Sequence, residues 1–83
     1  MKEGLEELCT VVIGKKGLED SYTFYKNGMI RHSYDKNIFN YGLMEWVQPG
    51  EINNIIKRRI IKNCRNKYKR NIRRILDFNL RMN

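Results

Sequence analysis

The sequence predicts a small α+β protein: an N-terminal antiparallel β-meander of three to four strands, followed by a basic C-terminal helical region. Three observations predict it. Residues 1–48 hold short runs of β-branched and aromatic residues separated by turn-forming clusters. From Glu51 to Met82 the chain has neither proline nor glycine, as a helical stretch requires. The charge also divides near this boundary. Residues 1–50 carry six basic and seven acidic groups, whereas 51–83 carry eleven and two.

The 83 residues suffice for one domain. The expectation is a single domain, 1–83, with a near-neutral strand-rich part (1–48) and a basic helical part (49–83). A chain of this size buries only about 60 % of its unfolded surface, so a small core is expected and a large enclosed active site is not.

Residues 8–13 are rich in β-branched side chains and predict the first strand. Gly14 and Gly17 bracket a turn. Asn27-Gly28 lies between two alternating runs and suits a two-residue hairpin loop. That loop sets Tyr25 opposite Ile30, Phe24 opposite Arg31 and Thr23 opposite His32. It puts Tyr22, Phe24 and Met29 on one face, and Tyr25, Ile30 and Tyr34 on the other. Asp35-Lys36-Asn37 signals a second turn. Residues 38–47 predict a further strand, with Gly42 at a bulge. Pro49 suits a first helical position, and Glu51 would favour the positive end of the helix dipole.

As one helix, residues 49–80 would run about 48 Å, whereas four six-residue strands make a sheet only about 20 Å on a side. The apolar stripes disagree as well. Ile52, Ile55, Ile56 and Ile60 cluster on one helical face. Cys64, Tyr68, Ile72, Ile75 and Leu76 cluster on another, rotated by roughly 130°. A break near 63–66 is therefore expected, with the first helical part packed on the sheet. The second part must project, fold back or find a partner, and Tyr68, Ile72, Ile75 and Leu76 offer a stripe for self-association.

Charge asymmetry of this size points to a polyanion, an acidic protein surface or an anionic membrane. Candidate contacts are Lys57, Arg58, Lys62, Arg65, Lys67, Lys69, Arg70, Arg73, Arg74 and Arg81. A helix with one basic and one apolar stripe can fix itself to its fold and present the other side to phosphates. Asp77 falls on the basic stripe and counts against a phosphate-tracking surface.

Chemistry for catalysis is not evident. His32 is the only histidine and reads as a surface or cross-strand residue. Cys9 and Cys64 lie far apart in sequence, so no zinc-ligand spacing arises and no metal or cofactor is expected. Cys64 has Lys62 and Arg65 nearby, but its place on the apolar stripe favours packing. Gly14-Lys15-Lys16-Gly17 lacks the spacing of a phosphate-binding loop. No signal peptide or membrane-spanning run is visible, so the expected location is cytoplasmic.

The expected function is therefore non-enzymatic docking on nucleic acid or a nucleoprotein through the C-terminal helical region. The rival is a phage-type small inhibitor of the anti-CRISPR kind, or an adaptor, set against an acidic protein surface. That comparison rests on size and style, not on matched residues.

Overall fold

The computed structural model describes residues 6–14 and 17–77. Four strands, β1 (Glu7–Val12), β2 (Asp20–Tyr25), β3 (Ile30–Tyr34) and β4 (Leu43–Val47), form an antiparallel meander in the order β1-β2-β3-β4. Two helices follow, α1 (Asn54–Asn63) and α2 (Lys69–Leu76). The α+β class and the break in the helical region agree with the sequence.

The β2–β3 hairpin forms, but one residue away from the expected register. Phe24 pairs with Ile30, Thr23 with Arg31 and Tyr22 with His32. The loop is three residues long, closed by hydrogen bonds from Tyr25 N to Met29 O (3.0 Å) and from Gly28 N to Tyr25 O (2.9 Å). Gly28 takes a φ of 94°, as the left-handed last residue of such a loop requires. Burial explains the choice. The observed register puts Ile30 beside Phe24 in the core, at 1 % and 0 % exposure. The two-residue loop would have turned Arg31 inward instead, since one step of slip exchanges the faces of a strand.

The strand expected over 38–47 begins only at Leu43. Asn37 ends the preceding run: its Oδ1 accepts from the N–H of Phe39 (2.8 Å) and of Asn40 (2.9 Å). Asp35 secures the rest of the loop, its Oδ1 accepting from Gly42 N (2.8 Å) and its Oδ2 from Glu19 N (2.9 Å). These two bonds hold the Asp35 carboxyl below the usual carboxylate range. Gly42, expected at a bulge, has a φ of 66° and precedes the strand. Side-chain competition for backbone N–H groups thus overrides the β-propensity of Ile38, Phe39 and Tyr41, which are left exposed.

The helical region starts twice. Pro49–Glu51 is a 3-10 turn in which Glu51 Oε1 accepts from Gln48 N at 2.7 Å. Asn53 then caps α1, its Oδ1 accepting from Ile56 N at 2.9 Å. Ile52 therefore lies outside α1. The face that α1 buries is Lys57, Ile60 and Ile61, with Cys64 buried at its C-cap, while Ile55, expected on the apolar stripe, is 68 % exposed.

At Cys64 and Arg65 the backbone is extended, and a short 3-10 turn, Asn66–Tyr68, leads into α2. The reversal resolves the rotated stripes. Ile52, Ile60, Ile72 and Leu76 join Val11, Tyr22, Phe24 and Ile30 in one core. Both helical parts, not the first alone, pack with the sheet. Ile72 and Leu76 are fully buried, so the stripe expected to offer self-association is largely used within the chain.

Candidate functional site

Between Ile52 and Leu76 the sequence has no acidic residue. The two acids of the helical half stand at its ends. Glu51 closes the entry turn. Asp77 terminates α2 in the left-handed conformation, with φ 56° and its N–H bonded to Arg73 O and Arg74 O. Asp77 thus stands at the C-terminal end of α2, beside the turn that carries Arg73 and Arg74.

The expected site residues separate into surface and structural groups. Arg58, Lys62, Arg65, Lys67, Arg70 and Arg74 are exposed. Lys57 is 8 % exposed and belongs to the packed face of α1. Lys69 is half-buried, and its Nζ donates to Ile61 O. A cation here suits the carbonyl end of α1, so Lys69 pins the start of α2 to the end of α1. Arg73 is half-buried, its Nε without a hydrogen-bond partner. Lys67 holds its ammonium 5.2 Å from the Tyr68 ring centroid. Arg81 lies outside the described residues.

Arg59 was missed by sequence reasoning. It is exposed and lines a cleft with Arg58, Lys62, Asn63 and Ile13. Helical spacing carried the signal, because Arg59 precedes Lys62 by three positions and so shares its side of α1.

Three shallow grooves follow β1. The first is the Arg58, Arg59 and Lys62 cleft at Ile13. The second lies between β1 and the elbow, where Asn63, Cys64, Arg65 and Tyr68 meet Leu8 through Val12. The third lies between the β2–β3 loop and α2, where Arg74, Asn71 and Ile75 meet Leu8, Lys26 and Gly28. The first and second share Asn63, and the second and third share Leu8. Arg58, Arg59, Lys62, Arg65 and Arg74 are thereby distributed along a six-residue strand, a span of about 20 Å. Among the described residues, the ion pairs within 4.0 Å join Lys26 to Glu6 and His32 to Asp20 and Glu45. None of these five cations takes part.

His32 forms the other polar cluster. Its Nε2 lies 2.7 Å from Asp20 Oδ1 and its Nδ1 lies 3.5 Å from Glu45 Oε2. The ring is stacked between Tyr22 and Tyr34, with centroids 4.3 and 4.5 Å away. Burial, helped by the Asp20 and Glu45 carboxylates, pushes the Tyr22 hydroxyl up to about 12. This makes His32 a cross-strand clamp between β2, β3 and β4, as its position on a hairpin strand suggested. Among the described residues, no group of three His, Cys, Asp or Glu side chains is placed to hold a metal ion.

Both thiols are free. Burial, then Cys64 and Glu7, raise Cys9 to about 11. Burial also raises Cys64, against the opposing effect of Lys69 and Arg73. Packing thus outweighs cation activation at Cys64. Among the described residues, no helix is long and apolar enough to cross a membrane. Compared with known protein families, characterised proteins and solved structures, the chain matches none.

Proposed function

We propose that this chain is a non-enzymatic binding protein that docks on nucleic acid, or on a nucleoprotein, through the cations that α1, the elbow and α2 present along β1. One observation carries this reading. Arg58, Arg59, Lys62, Arg65 and Arg74 are exposed, of one sign and outside any ion pair among the described residues. A helix face that only needs to stay wet does as well with mixed charges, which add attraction between neighbours in place of repulsion. Arg59 also borders Glu19, Asp20 and Asp35 in a neighbouring cleft, but the clefts of the other four cations contain no carboxylate, and such a row suits a polyanion that brings many phosphates at short spacing and releases counterions as it binds. Such contacts track the backbone and read little sequence.

Fluorescence anisotropy with a labelled 20-base-pair duplex tests this. Arg65→Ala with Arg74→Ala should weaken binding of unrelated sequences alike. Asp77→Asn keeps a residue tolerated in the left-handed region and removes the acid beside Arg73 and Arg74, so binding should tighten. If these substitutions leave duplex affinity unchanged while weakening capture of an acidic protein partner, the adaptor or inhibitor reading replaces this one.

A further inference from the structure

The two edges of the sheet are finished differently. β1 carries a bulge between Glu7 and Cys9 and has the elbow residues Cys64, Arg65 and Tyr68 alongside it. β4, at the other edge, has no strand beyond it. Among the described residues, no backbone group of Leu43–Val47 bonds to backbone outside the sheet. Its sequence, Leu-Met-Glu-Trp-Val, holds no proline or lysine, and its pairing with β3 runs without a bulge. Those are the devices that commonly close an edge to further pairing.

β4 is complementary to a reversed copy of itself. Centred on Glu45, all five residues pair: Met44 meets the partner's Trp46 and Leu43 meets the partner's Val47, each twice. Met44 and Trp46 stand on the sheet face turned from the helices, 56 % and 46 % exposed, and pairing covers them. Leu43 and Val47 continue the helix-side rows of Tyr34 and Ile30. The central pair alone is polar, setting Glu45 against its own copy. Each Glu45 keeps its own His32, with Oε2 3.5 Å from Nδ1. A register shifted by two residues leaves part of β4 unpaired and sets Glu45 against Leu43 or Val47. A shift by one exchanges the faces.

We infer that β4 pairs with β4 of a second copy of this chain across a two-fold axis, joining two sheets into one of eight strands. The main-chain bonds of the new ladder supply attraction, and the Met44–Trp46 pairs add cross-strand contact. One strand serves both sides, as an isologous interface requires. A strand of another protein could use the backbone edge, but the reversed copy also matches the side chains. Five residue pairs make a small interface, so association is weak and depends on concentration. β1 lies at the opposite edge, so the cations along it stay open.

Sedimentation velocity across a concentration series of the full chain, free of nucleic acid, tests this. The weight-average mass should rise from the monomer's 10.0 kDa towards twice that value and no further. Trp46 is the only tryptophan, so its emission reports this edge alone and should shift to shorter wavelength over the same concentrations. Met44→Lys, at an exposed side chain, should weaken association about 2- to 30-fold through two lost cross-strand pairs. Glu45→Gln should tighten it up to about fivefold by removing the like charges at the centre. Mixing wild type with Glu45→Lys should give a pair tighter than either chain forms alone, because residue 45 meets its own copy only in the centred register.

A monomer mass held up to the solubility limit would overturn the pairing and leave the edge to a strand of another protein. Association that Met44→Lys does not weaken, or that leaves Trp46 emission unmoved, would place the contact on another surface and also overturn it. No tightening by Glu45→Gln, together with no preference for the mixed pair, would overturn the centred register. Failure of the function proposed above reads differently: no affinity for duplex at low salt, whatever the mass of the free chain.

Discussion

Ile30 lies directly opposite Phe24 across the first hairpin, and both are buried. This pair fixes the loop between them at three residues and makes Gly28 the residue with positive φ. A Cβ at Gly28 would meet no atom within 4 Å, so the cost of Gly28→Ala is one of conformation alone. It should destabilise the chain by about 1–2 kcal/mol, read as a lower urea midpoint with unchanged slope.

The return of α2 onto the core makes a second prediction. Ile72 is fully buried, whereas Ile55, a helical isoleucine expected to share the core, is 68 % exposed. Ile72→Ala should cost about 2–5 kcal/mol, and Ile55→Ala should stay within about 0.5 kcal/mol. Equal costs in urea denaturation would mean that α2 does not fold back.

These two predictions also mark what could be read in advance. The strand runs, the turn at Asn27-Gly28 and the conflict between the Ile52 and Ile72 stripes were legible, because each is a local pattern of propensity or period. The hairpin register was not. Two- and three-residue loops both accept Asn27-Gly28, and the decision lies in whether Ile30 or Arg31 meets α1 and α2. The start of β4 was hidden for a similar reason, since Asn37 and Asp35 act through side-chain bonds that propensity does not count. The cations of the candidate site were visible as a block, but their division was not. Lys57 and Lys69 carry the same charge as Lys62, and only packing separates the structural pair from the exposed one.

Thiol chemistry gives a third prediction. Cys9 rises from 9.0 to about 11, which lowers its thiolate fraction near pH 8 about a hundredfold. Alkylation of Cys9 and Cys64 by iodoacetamide should be slow in the folded chain and fast in urea. Fast labelling of either in native buffer would contradict their packed positions.

The same shifts set the alkaline limit. A group whose folded pKa is raised contributes stability fully below its unfolded value and loses it as pH climbs through the folded one. For Cys9 the window runs from 9.0 to about 11, and for Tyr22 from 10.0 to about 12. Thermal stability should therefore fall progressively above pH 9, and Cys9→Ala should remove the lower part of that fall. A melting temperature flat from pH 8 to 11 would contradict it.

The salt dependence of duplex binding tests the nucleic-acid interface most directly. If Arg58, Arg59, Lys62, Arg65 and Arg74 each neutralise one phosphate, log affinity should fall against log salt with a slope of about −4.5. Arg59→Ala with Lys62→Ala should make that slope shallower by about 1.8, whatever the duplex sequence. No measurable affinity at about 50 mM salt, where such contacts are strong, or a slope unmoved by the double substitution, would contradict a phosphate-binding role for these side chains.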